Sequence, residues 1–233
     1  MNKSVKTDNS MTRPLSSRHF LWTPVMQHRH NGLTLGVCPV FWIRGTGSIL
    51  RRENQYIAHY KLLSDDIKRV YEGHEVAVHT LTHPSLPALK EQEIIRQVEQ
   101  DRKNLEELVG YEVVGMAYPG GWINNDDRVA EIIKNNTKIK YCRTITNTDS
   151  FDIQDNLYRL NPNVHHLEWN RMMEMAEKFV AVKPDKPQIF YIWGHAFEMD
   201  YDTSYWLKLE EFFKFISNRA DIFYGTNAET FIK

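Results

Sequence analysis

Gly73-His74-Glu75-Val76-Ala77-Val78-His79-Thr80-Leu81-Thr82-His83-Pro84 is the stretch on which the reading of this chain turns. Val76, Ala77 and Val78 are a short apolar run with β-branched residues at both ends, bounded by Gly73 and Pro84, which predicts a buried strand. The strand runs into a loop that carries His79 and His83, four residues apart, with Thr80 and Thr82 between them. Imidazole is the commonest protein ligand for zinc and related divalent ions. Two loop histidines also occur as plain structural residues, one bonded to a backbone carbonyl. Their place at the end of a buried strand favours ligation, because α/β folds put their ligands there.

Outward from this stretch, strand and helix patterns alternate from about residue 64. Ser64 caps a helix over 65–72, with Asp65 and Asp66 in its first turn and Gly73 as its stop. Residues 90–109 make a long amphipathic helix, with Ile94, Ile95, Val98, Leu105, Leu108 and Val109 at helical spacing and Gly110 at its end. Further strands are predicted over 75–79, 113–118, 140–144, 163–166, 188–194 and 222–224, and further helices over 125–135, 169–182, 205–217 and 228–232. Such alternation implies a mainly parallel sheet with helices outside, open or closed as a barrel. Residues 1–54 read differently. They hold scattered arginines and turn formers, no helix-period stripe, and room for a strand or two over 33–43. The expected organisation is an irregular N-terminal segment, 1–54, followed by one α/β domain, 55–233.

Composition bounds the function. The 233 residues suffice for one sizeable core. With 29 basic and 30 acidic residues the net charge is -1, which leaves no electrostatic footprint for nucleic acid or an anionic membrane. No stretch approaches transmembrane length, and the first 18 residues are polar with no signal-peptide core behind them, so a cytoplasmic protein is expected. The two cysteines, Cys38 and Cys142, are expected as free thiols.

Three predicted strand ends carry distinctive residues. One is His79-Thr80-Leu81-Thr82-His83. The second is Met116-Ala117-Tyr118-Pro119-Gly120-Gly121, an aromatic-proline turn. The third is Tyr191-Ile192-Trp193-Gly194-His195, an apolar strand delivering one histidine at its tip. In a parallel sheet these ends converge on one face, where such folds place active sites. His165-His166 reads as structural or substrate-edge, and Tyr191 and Trp193 as core; Glu198 and Asp200, within five residues of His195, read as a solvated loop or as groups that bind a sugar amine or stand in for acid-base work.

Together these motifs resemble the polysaccharide deacetylases, the metal-dependent carbohydrate N-deacetylases. His79-Thr80-Leu81-Thr82-His83 matches the family's His-Ser/Thr-x-x-His, Ala117-Tyr118-Pro119-Gly120-Gly121 partly matches its Arg-x-Pro-Tyr/Phe-Gly, and Trp193-Gly194-His195 matches its Leu-x-His. The resemblance covers about residues 62–231 in consistent order. It implies an irregular (β/α) barrel of about seven strands, a divalent metal, most simply zinc, held by His79 and His83, and His195 as the general acid that protonates the leaving amine. It further implies an oxyanion contact from a backbone N–H around Tyr118 to Gly120, and an oligosaccharide or related small-molecule substrate. An aspartate that orients the acid histidine falls near Asp149 or Asp152.

Two departures stand out. The family's Asp-Asp pair, its catalytic base and third ligand, has no strand-borne counterpart before His79: Asp65-Asp66 opens a helix. The arginine of the proline turn is replaced by Ala117. The resemblance therefore implies either a metal-dependent amide hydrolase or a catalytically impaired relative that serves as a binding module.

Overall fold

The computed structural model describes residues 18–25, 36–37, 48–52, 55–59, 64–121, 123–202 and 204–232. In chain order the strands are β1 (Arg18–Val25), β2 (Gly36–Val37), β3 (Ser48–Arg52), β4 (Gln55–His59), β5 (Glu75–Val76), β6 (Gly115–Ala117), β7 (Tyr141–Arg143), β8 (Val164–His165), β9 (Gln188–His195) and β10 (Ile222–Tyr224). The helices are α1 (Ser64–Val70), α2 (Glu91–Val109), α3 (Asp127–Asn136), α4 (Trp169–Ala181), α5 (Ser204–Ile216) and α6 (Asn227–Phe231). From residue 64 onward each predicted element is present with its ends shifted by at most two residues, except the 75–79 strand, whose ladder is Glu75–Val76 with an isolated bridge at Val78. Gly110 closes α2 in the left-handed region at φ 82°, which only glycine adopts without cost. Asp126 opens α3 by accepting a 2.7 Å hydrogen bond from the Val129 N–H, a cap worth about 1 kcal/mol.

The sheet is parallel but broken. β10, β1, β9 and β8 form one four-stranded parallel sheet in that order. β2 pairs with β5, and β6 with β7, also in parallel, while β3 and β4 form an antiparallel hairpin. Isolated parallel bridges join Val78 to Met116 and Arg143 to Leu160, carrying the pairing between these pieces. Of the expected irregular barrel of about seven strands, the α/β alternation and the parallel pairing are present, as short sheets with no closed barrel among the described residues. Strands of two or three residues form too few hydrogen bonds for a continuous ladder.

Within residues 1–54 the described residues are the strands β1, β2 and β3. β1 pairs along its whole length with β9 and, over Arg18 to Phe20, with β10. The expected boundary after residue 54 falls between the paired strands β3 and β4. The sequence Arg-His-Phe-Leu-Trp-Thr-Pro-Val hides this strand, because it neither alternates nor excludes proline. Pro24 is tolerated because pairing with β10 has ended four residues earlier, leaving β9 as the laddered neighbour there.

The helices pack through the faces their periodicity predicts. Ile94, Val98, Leu105 and Val109 of α2 are buried, as are Met172, Ala176 and Phe179 of α4 and Leu209, Phe212 and Ile216 of α5. Each large apolar side chain so buried contributes roughly 1.5–3 kcal/mol. At the N-terminal ends of the strands, Glu75 accepts from the Tyr141 hydroxyl at 2.5 Å and from the Ala228 N–H at 2.9 Å, tying β5, β7 and α6 together. Cys142 is a buried free thiol, as expected, and Cys38 lies outside the described residues. No described helix is long and apolar enough to cross a membrane.

Candidate active site

The loop after β5 is held in shape by one face of α2. The His79 N–H donates to Asp101 Oδ2 at 2.9 Å. The Leu81 N–H donates to the Gln97 carbonyl at 3.0 Å, and the Thr82 N–H to Gln97 Oε1 at 2.9 Å. Gln97 Nε2 donates to Thr82 Oγ1 at 2.9 Å. Gln97 and Asp101 stand one turn apart, so a single helical face grips the whole motif. That grip sustains two left-handed non-glycine residues, Thr80 at φ 71° and His83 at φ 57°. For a β-branched threonine this is a true outlier, costing about 1–3 kcal/mol, and such strain concentrates at functional sites.

His79 has what a metal ligand needs. Its Nδ1 lies 2.9 Å from the Ala117 carbonyl, an acceptor only, so the proton sits on Nδ1 and Nε2 keeps its lone pair. Burial first, then the charges of His83 and Arg143, push its pKa down to about 3, so the ring is neutral at neutral pH. The exposed His83 ring stands 5.0 Å away, centroid to centroid. Among the described residues no third histidine, cysteine or carboxylate joins this pair as a ligand. The pair therefore fits part of a metal site.

The second focus gathers at the end of β9. Register sets His165 of β8 beside Trp193 of β9, and His195 beside Val25 of β1. The turn after β9, Ala196–Tyr201, then folds Glu198 back onto these histidines. Glu198 Oε2 accepts from His166 Nε2 at 2.8 Å and from the His195 N–H at 3.0 Å, and lies 3.2 Å from both His165 Nε2 and His195 Nδ1. Burial pushes the Glu198 carboxyl up, but the hydrogen bonds from the three histidines outweigh it and hold it well below the usual carboxylate range. Burial holds His166 down at about 4, against the pull of Glu198. His79 follows β5 and His195 ends β9, so both foci stand at the C-terminal ends of parallel strands.

The other sequence-predicted residues sort differently. Tyr118 is buried, its N–H donates to the Arg143 carbonyl at 3.0 Å, and its hydroxyl donates to the Tyr158 carbonyl at 2.9 Å. Both donors of Tyr118 are thus taken up by carbonyls, while Gly120 of the same turn is exposed, with φ 89°. Asp149 pairs with Arg171 at 2.7 Å and Asp152 with Lys186 at 2.8 Å, so neither orients His195. Glu198, expected in a solvated loop, takes that place. Asp200 accepts from Trp206 Nε1 at 3.2 Å. Tyr191 is core as expected, whereas Trp193 packs edge-on against His165 and under the Arg143 guanidinium. Arg143 itself is the register partner of Ala117, buried beside the position where the arginine of the motif is missing. The sequence signal for Glu198 was its spacing three residues after His195, but the histidine doublet it also binds lies about thirty residues upstream and meets it only through strand pairing.

Comparison with known proteins bears on part of the chain. Residues 43–137 match the family described as polysaccharide deacetylase, a span that contains the histidine motif and the proline turn. No curated protein matches the chain. Among solved structures it is similar to a polysaccharide deacetylase from Bacillus cereus (21% identity, TM-score 0.37, 44% of this chain and 32% of that one). It is also similar to a CE4 family pseudoenzyme from Bacillus anthracis (17% identity, TM-score 0.39, 70% and 48%). A third likeness is to the 4-alpha-glucanotransferase from Thermococcus litoralis (16% identity, TM-score 0.50, 71% and 29%), and it bears on the fold alone. The chain thus spans about a third of the Bacillus cereus deacetylase and under half of the pseudoenzyme. Over residues 43–137 the chain is similar to the polysaccharide deacetylases, the likeness its histidine motif carries.

Proposed function

We propose that this protein is a metal-dependent hydrolase of non-peptide amide bonds that removes an acetyl group from a carbohydrate-like N-acetyl substrate. The observation that carries the reading is His79: neutral, buried, tethered through Nδ1 to the Ala117 carbonyl, and paired with His83 inside the family-matched segment. His79 and His83 would hold a divalent ion, zinc by the chemistry of two imidazoles. When bound, such an ion lowers the pKa of water and polarises an acyl carbonyl. His195 stands at the exposed rim, its Nδ1 facing Glu198, which orients the ring so that Nε2 can deliver a proton to the leaving amine. The Gly120 turn supplies backbone N–H groups at the strand end for the developing oxyanion.

A second reading, a catalytically impaired binding module, is favoured by one observation. The strand end that flanks His195 is Thr23-Pro24-Val25, in register with Trp193-Gly194-His195, and it carries no carboxylate to serve as base. Turnover is therefore expected to be weak. The test combines zinc analysis with turnover of an acetylated amino-sugar oligomer. His79→Ala is expected to lose one equivalent of zinc, and His195→Ala to slow turnover by about 10²–10⁴-fold. Zinc bound with no turnover in the wild type supports the impaired module. Unchanged zinc in both His79→Ala and His83→Ala overturns the metal assignment.

A further inference from the structure

Around Glu198 the distances fall into two sets. The 2.8 Å contact from His166 Nε2 is an ordinary charge-assisted hydrogen bond. His165 Nε2 and His195 Nδ1 are each 3.2 Å from the same oxygen, longer than the roughly 2.7–2.9 Å of such bonds. Ligand atoms of His165, His195 and Glu198 all lie within 4.8 Å of one another. A tetrahedral zinc ion bound at about 2.0–2.1 Å sets its ligand atoms roughly 3.3 Å apart.

We propose that His165, His195 and Glu198 form a second divalent-cation site, distinct from the His79–His83 pair. Two imidazoles and one carboxylate, with a fourth position open, are a donor set that zinc takes. The surroundings are those of an outer shell. The His166 side chain is fully buried and donates to the ligating carboxylate, which is how outer-shell partners fix a ligand. Its Nδ1 is buried without a partner among the described residues, a cost that packing alone does not explain. Trp193 and His166 stand edge-on to the His165 ring, at 4.5 and 4.7 Å between centroids, and fix its plane. The ion enters from the His195 side, which is 38% exposed. Ligation through His165 Nε2 puts the proton on Nδ1, so the 3.3 Å contact from the Leu167 N–H, already at the weak end for a hydrogen bond, is given up. Since His195 is the general acid in the function proposed above, an ion here withholds that acid, and the site is inhibitory.

The test is zinc titration of the full chain after chelator treatment, by equilibrium dialysis, with cobalt(II) absorption as a second readout of four-coordinate binding. The wild type is expected to bind two equivalents. His165→Ala and Glu198→Gln are each expected to weaken one of them by more than about 100-fold, and His166→Gln by about 10–100-fold. The His79→Ala/His83→Ala double variant is expected to lose the other and keep this one. If His165→Ala does not fold, Glu198→Gln, which retains an oxygen for the His166 N–H, decides the matter. Unchanged binding in Glu198→Gln, or no zinc in the double variant, overturns the inference. Zinc kept by His79→Ala and lost by Glu198→Gln upholds it while removing the metal assignment of the proposed function.

Discussion

Gly194 shows how much of the site rests on one residue. An added Cβ there would lie 2.4–2.5 Å from atoms of the His166 ring, and that ring is walled in, so the backbone or the ring must move. The absent side chain is what lets His166 reach Glu198. Gly194→Ala is expected to destabilise the fold by about 1–3 kcal/mol, as overpacking of a filled interior does. It is also expected to detach His166 from Glu198, seen as an altered His166 ring resonance in NMR alongside the thermal melt. An unchanged melt and unchanged ring resonances would show that the neighbourhood is looser than its geometry implies.

At the scale of an element, α2 does two jobs with two faces. Ile94, Val98, Leu105 and Val109 anchor it in the core, and Gln97 with Asp101 turn toward the histidine loop. Because Thr80 and His83 are held against their conformational preference, the loop should relax when the grip is cut. Gln97→Ala leaves the Thr82 N–H without its acceptor and is expected to cost about 1–3 kcal/mol of stability. Loss of the same support is expected to weaken zinc binding by His79 and His83 by about 10–100-fold, the range for removal of an outer-shell partner. Dialysis of this variant beside the wild type is the check, and equal affinity would show that the loop keeps its shape unaided.

At the scale of the whole molecule, the sheet has a chemical end and a structural end. The chemistry gathers at the C-terminal ends of the strands, while Glu75 pins β5, β7 and α6 at the other. Burial raises the Glu75 carboxyl above its ordinary value of 4.5, despite the hydrogen bonds it accepts from Tyr141 and from the start of α6. The folded state therefore holds this proton at pH values where the unfolded chain has released it. Its contribution to stability is complete below about 4.5 and is lost as pH rises through the elevated folded value. Glu75→Gln keeps an oxygen for the Ala228 N–H and removes the titration, so its stability is expected to fall less steeply with pH. Urea unfolding from pH 4.5 upward checks this, and parallel slopes for the two proteins would refute it.

Legible in the sequence are the alternation of strands and helices from residue 64, the buried face of α2, and the two strand ends that bear His79, His83 and His195. These are local properties, written in periodicity, caps and short motifs. That Arg18–Val25 is a central strand is not legible there, because its order comes from pairing with residues more than 160 positions away. Pairing likewise brought His165 beside Trp193 and Arg143 beside Ala117, and the turn after β9 brought Glu198 to three histidines. The Tyr118 motif is local, but its N–H and hydroxyl meet carbonyls of Arg143 and Tyr158 that no local pattern announces. Register and long-range hydrogen bonds are properties of two segments together, so neither segment's sequence carries them alone.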